Sequence, residues 1–78
     1  MRLSELTNGD RAIIVKVNGS GHFRRRMLEM GFIRGREIEV LRNAPLSDPI
    51  RYRLMGYELS LRKVEAFQLE VMTKQSVQ

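Results

Sequence analysis

The sequence predicts a mostly-β domain, about five short strands curled into a small barrel, with one short helix after the first strand. Three observations carry that prediction. The chain has 78 residues, enough for one domain and one core. Several short runs alternate apolar and polar residues at the period of a strand, and breaks bearing glycine or proline separate them. Only one run, His22 to Met30, repeats its apolar residues at clear helical spacing.

Leu3 and Leu6 precede TNGD, a turn cluster in which Gly9 adopts positive φ at no steric cost. RAIIVKV then alternates, with Ile13, Val15 and Val17 on one face and Ala12, Ile14 and Lys16 on the other. NGSG breaks this strand, and Ser20 is placed to cap the next element. In the helix, Phe23, Met27 and Met30 form one apolar stripe. Gly31 follows where a helix needs a left-handed residue, and Phe32 is the apolar residue that packs back. REIEVLR puts Ile38 and Val40 inward and Glu37 and Glu39 outward. NAPLSDP is a loop, because Pro45 and Pro49 deny it a regular ladder.

The segment from Ile50 to Leu61 fixes its own register. A two-residue turn at Met55-Gly56, with Gly56 supplying positive φ, sets Leu54 against Tyr57, Tyr52 against Leu59 and Ile50 against Leu61 on one side. The other side pairs Arg53 with Glu58 and Arg51 with Ser60. A slip of one residue would destroy both patterns. RKVEAF suits one helical turn, and QLEV closes the sheet with Leu69 and Val71 inward. The domain is expected over residues 1–72, with a frayed tail at 73–78 that lacks apolar periodicity. Barrels of this kind are SH3-like or OB-like.

Composition narrows the function. With no cysteine there is no disulfide or thiolate metal site to supplement a thin core. A chain this small buries only about 60% of its unfolded surface. The longest aliphatic run, Ala12 to Val15, is too short to span a bilayer. The net charge of +5 suits nucleic acid, an anionic membrane or an acidic protein face. The single histidine, His22, has no accompanying ligand spacing, so neither a ferrous nor a zinc site is expected, and no cofactor is called for. No nucleophile motif or phosphate-binding glycine loop is present, and the chain does not read as an enzyme. The hairpin register turns Tyr52 and Tyr57 inward, which argues against base stacking and single-strand nucleic-acid binding.

Arg24, Arg25 and Arg26 fan around the helix, about 100° apart, so no flat phosphate surface meets all three. Glu29 is spaced to pair with Arg25 and Arg26 along the helix, each pair worth about 0.2–0.5 kcal/mol. Cations in a first turn oppose the helix dipole, so the run is read either as a solvated face, the commoner use of a charge run, or as a partner site where stability alone would not put them. Leu28 lies about 140° from Phe23 on the wheel, off the core stripe. It is either wrapped by the barrel or left for a partner. Leu46 is an apolar tip in a loop pinned between two prolines. Arg24, Arg25, Leu28 and Leu46 are therefore the candidate partner-binding residues. Gly31, Gly35, Gly56 and Pro49 are the structural turn and cap positions.

RRMLEMGFIRGREIEVLRNAPLSDPI, followed by YELSLRKVEA, resembles the ferrous iron transport protein A (FeoA) family. The family pattern is an arginine-leucine helix, an LG pair, a second glycine, an APLGDP loop and a closing L-x-LR-x-x-EA segment. Here these are Arg26-Met27, Met30-Gly31, Gly35, Ala44 to Pro49, and Leu59 to Ala66. Arg34 stands where proline is usual, and Ser47 where glycine is usual. The resemblance covers Leu3 to about Val71. It implies an SH3-like barrel acting as a small bacterial cytoplasmic accessory protein, peripheral to the inner membrane only through its partner. The implied partner is the ferrous iron permease FeoB, at its cytosolic GTP-binding domain. The family has no established catalytic or metal residues to carry over. Similar barrels end iron-dependent repressors, but a start at Met1 just ahead of Leu3 to Leu6 favours a free-standing protein. Two classes of function follow: an adaptor that modulates a transporter, with self-association left open, or a basic barrel that binds nucleic acid or derives from a regulator. Salt separates them, because nucleic-acid affinity falls steeply as salt rises.

Overall fold

The computed structural model describes residues 1–74. A short 3-10 turn at Leu3–Glu5 leads into strand β1 (Arg11–Val17), helix α1 (Gly21–Met30), and strands β2 (Glu37–Arg42), β3 (Ile50–Leu54) and β4 (Tyr57–Leu61). Helix α2 (Lys63–Ala66) and strand β5 (Leu69–Thr73) complete the chain. The strands form one antiparallel sheet in the order β4-β3-β2-β1-β5. Neighbours in sequence are neighbours in the sheet except for β5, which returns to pair with β1. The fold is mostly β with one short helix after the first strand, as the sequence predicts, and α2 is the single turn expected at RKVEAF.

The β3–β4 register matches the sequence reading pair for pair, from Leu54 opposite Tyr57 to Ile50 opposite Leu61. On the outer side Arg53 lies 3.4 Å and Arg51 3.2 Å from Glu58. The turn asks for more than glycine. Met55 has φ 51° and Gly56 φ 80°, so both central residues are left-handed, as a hairpin of this twist requires. Tyr57 departs from expectation. It sits at the hairpin end, beyond the core, and is 39% exposed. Its hydroxyl donates to the Met30 carbonyl, tying the hairpin to the end of α1.

Strand β1 also corrects a sequence expectation. Ala12 and Ile14 face the core, but so does Val17, on the opposite parity. An irregularity between Ile14 and Lys16 in the β1–β5 ladder inserts the extra residue that switches faces. A second lies between Val40 and Arg42, in the β2–β3 ladder. Such bulges bend and twist a strand, which curls a small sheet around its core.

The core joins both sheet halves to the helix. Ile38, Val40, Ile50, Tyr52, Leu54, Leu69 and the α1 side chain Met27 are fully buried, and Phe32 seals the helix end. Phe23 and Met30 pack against this cluster at its margin, so the predicted stripe holds. Leu3, Leu6 and Ala66 close the other end. Thr73 belongs to β5, and the Lys74 N–H donates to the Arg11 carbonyl at 2.8 Å, so pairing runs past the expected start of the tail. The rest of that expectation, residues 75–78, lies outside the described residues.

Candidate functional site

Helix α1 places the arginines. Ser20 has the extended backbone of an N-cap (φ −77°, ψ 170°), and its carbonyl accepts the Arg24 N–H at 2.8 Å. Its side chain makes no capping bond. At the far end Gly31 is left-handed, with φ 106°. The Gly31 N–H donates to the Leu28 carbonyl and the Phe32 N–H to the Met27 carbonyl, each at 3.0 Å. This pair of bonds ends the helix and drives Phe32 into the core. The chain then turns at Gly35 (φ 93°), whose N–H donates to the Ile14 carbonyl at 2.8 Å and holds the turn against β1.

The three arginines go three ways. Arg26 leaves the helix to meet Glu65 on α2, so the expected pairing with Glu29 does not form. The competing carboxylate comes from a distant part of the chain, and half-buried Glu65 is the better-held partner. Arg25 makes no ion pair within the described residues, with Glu29 or otherwise. Arg24 Nε donates to the Val17 carbonyl at 3.3 Å, which anchors its stem over β1 without neutralising its charge.

Leu28 is 41% exposed, which decides between the two readings of that residue. It forms the floor of a shallow hollow of about 250 Å³ between α1 and β1, whose wall includes Val15, Lys16, Arg24 and Arg34. Arg24, Arg25 and Leu28 border a continuation of it with Gly21. Sequence reasoning missed Lys16 and Arg34 here. Arg34 lies just past the helix end, where only the path of the turn brings it back beside the first strand.

Leu46 is fully exposed at the loop tip. Its loop is fastened to α2: Lys63 Nζ donates to the Pro45 carbonyl at 3.0 Å, and the Lys63 N–H donates to Asp48 Oδ1 at 3.0 Å. The Asp48–Pro49 peptide is cis. The structure thus unites Arg24, Arg25 and Leu28 but does not bring Leu46 into the same hollow. That fastening brings the loop to α2, where Val64 and, just past the helix end, Phe67 are 70% and 52% exposed. The Arg2 guanidinium covers the Phe67 ring at 4.9 Å. This second apolar surface went unread in the sequence because a four-residue helix is too short to show a face.

Among the described residues no three His, Cys, Asp or Glu side chains are placed to hold a metal ion together, and no helix is long and apolar enough to cross a membrane. His22 lines an open cleft with Phe23, Arg26, Glu29 and Glu65, where the Arg26–Glu65 pair already occupies the carboxylate.

A five-stranded antiparallel sheet wrapped on one ten-residue helix defines a small SH3-like domain. The chain belongs to the FeoA family, whose domain model matches residues 1–73. It is 56% identical over 71 residues to a Fe(2+) transport protein A/Fe(2+) transporter FeoB fusion protein of Porphyromonas gingivalis. That match takes in 91% of this chain but only 8% of the fusion's length. The solution structure of the FeoA protein from Chlorobium tepidum superposes with a TM-score of 0.88 at 40% identity, over all of this chain and 74% of that one. The zinc-complexed FeoA of Stenotrophomonas maltophilia, described as a procaryotic SH3 domain protein, gives 0.82 at 28% identity, over 91% of this chain and 88% of its own.

Proposed function

We propose that this domain is an accessory to ferrous iron uptake that docks on the cytosolic GTP-binding domain of the permease FeoB and modulates transport. The docking surface is α1 with Arg24, Arg25 and Leu28, together with the Leu46 loop, and the docking unit is residues 1–72. The observation that carries this reading is the fusion. In P. gingivalis a stretch 56% identical to this chain is joined to an FeoB transporter in one polypeptide. Covalent joining supplies a high effective concentration, which serves modules that work in contact. The surface supports it: exposed Leu28 stands beside Arg24 and Arg25, which make no ion pair within the described residues, the layout of an apolar centre with a polar rim, and Leu46 adds a separate exposed apolar tip. In this reading the protein is cytoplasmic and reaches the inner membrane only through its partner.

Binding of purified variants to the permease's cytosolic domain tests the proposal. Arg24→Glu with Arg25→Glu should mainly slow association, since rim charges steer encounter. Leu28→Ala should speed dissociation by about tenfold, on the order of the 1–2 kcal/mol for a half-exposed leucine side chain. Leu46→Asp should act separately, because its loop is fastened to α2 rather than to the α1 hollow. Folded variants that all bind as the parent does would remove this surface from the interface.

A further inference from the structure

The charge of +5 is not spread evenly over the surface. Six of the fourteen cations sit in ion pairs away from the Leu28 hollow: Arg2, Arg11, Arg26, Arg51, Arg53 and Lys74. Of the eight without an ion pair among the described residues, four, Lys16, Arg24, Arg25 and Arg34, border the Leu28 hollow and its continuation. No acidic side chain lines either part. Glu70, opposite Lys16 across the β1–β5 ladder, accepts from the Asn18 amide at 2.8 Å and pairs with Arg2, so Lys16 feels its charge without forming an ion pair with it. The floor is Leu28, and Val15 makes the wall beside it apolar.

We infer that this hollow receives an acidic peptide segment carrying one aliphatic side chain, the carboxylates on the four cations and the aliphatic group on Leu28. A bare phosphate chain would use the rim and leave the leucine uncovered, whereas an apolar peptide would leave four cations without counter-charge. A second copy of this chain is a poor donor of such a segment. Of the nine acidic residues, all except Glu29 already hold an internal hydrogen bond or ion pair. The segment therefore comes from another protein. The docking reading names that protein, and the inference rests on it for the segment's source but not for its chemistry.

The test uses the full chain and a short labelled peptide of Asp and Glu with one central Leu. The parent should bind it, and more weakly as salt rises. Replacing the peptide's Leu by Ser should weaken binding by at least about fivefold, in line with a partly buried aliphatic side chain. Lys16→Gln with Arg34→Glu, both exposed and outside α1 itself, should weaken it by about five- to tenfold. A thermal melt of each variant shows that it is folded. The inference is overturned if the peptide does not bind, if either change leaves binding untouched, or if a thymidine oligonucleotide binds more tightly than the peptide. Two further outcomes separate it from the docking reading. If the permease domain binds but the peptide does not displace it, docking stands and the hollow is not its seat. If the peptide binds with the expected dependence but the permease domain does not bind, the hollow's chemistry stands and the partner is a different protein.

Discussion

Replacing Gly31 tests how the helix that carries the basic residues is stopped. The substitutions are Gly31→Ala and Gly31→Val. The backbone there has φ 106°, where an L side chain is strained by about 1–2 kcal/mol. A Cβ built at this position would collide with Met55 Cε and lie 3.2 Å from an Arg36 guanidinium nitrogen. The first contact must give way. Met55 is exposed and flexible, so its methyl swings aside at little cost, and the backbone term dominates for alanine. Valine adds a second branch in a region closed to β-branched residues, raising the expected loss to about 2–3 kcal/mol. For a domain of this size each kcal/mol moves the melting temperature by about 4–8 °C. Gly31→Ala should therefore melt about 4–16 °C below the parent, and Gly31→Val lower still. The assay is thermal unfolding followed by far-ultraviolet circular dichroism. Adding Met55→Ala should recover little of the loss. An alanine variant that melts with the parent would refute the backbone argument, and full recovery with Met55→Ala would replace it with a steric one.

Other perturbations follow from the same structure. The Tyr52 hydroxyl is buried without a hydrogen-bond partner among the described residues, and burial pushes its pKa up, so Tyr52→Phe should leave stability unchanged or raise it by up to about 1 kcal/mol in a denaturant melt. Lys74 hydrogen-bonds Glu37 at 2.7 Å and holds its carboxyl below the usual 4.5, as the Asn18 amide does for Glu70. Stabilisation from such depressed carboxyls is present above the unfolded pKa and is lost as pH falls through the folded one. The melting temperature should then drop on acidification below about pH 4.5, and Asn18→Ala should make that drop shallower. Anaerobic calorimetric titration with ferrous iron should show no stoichiometric micromolar site, and a site abolished by His22→Ala would contradict the reading of His22.

What was legible in the sequence was whatever short-range pattern determines. The β3–β4 hairpin could be read because every opposed pair agreed with one register and no other. The helix end could be read because a stripe, a glycine and an apolar residue stood in the required order. The β1 face switch could not, since a bulge leaves an apolar run such as AIIVKV looking regular. Arg26 was assigned to Glu29, a neighbour on the same helix, while its actual partner Glu65 arrives through the long-range closure of the chain. The site was half visible for the same reason. Arg24, Arg25 and Leu28 stand on one helix and announce themselves together, but Lys16 and Arg34 join them only after the sheet has formed. Leu46 looked like their companion by its exposure, and the hydrogen bonds of its loop to Lys63 set it in other company.

Helix α1 completely buries one side chain, Met27, and touches the core otherwise only through the margins of Phe23 and Met30. Lifting it from the sheet would expose far less apolar area than parting any two central strands, so this excursion costs less than global unfolding. The amides of the helix should thus exchange with solvent ahead of those in β1 to β3. Ser20 and Gly31 at its two ends are the natural points about which it swings. The latch from Tyr57 to Met30 and the bond from Arg24 to Val17 are what such an excursion must break. A ligand seated between the helix and β1 would hold the two together, and its arrival would register as slowed exchange across α1 before any change in shape.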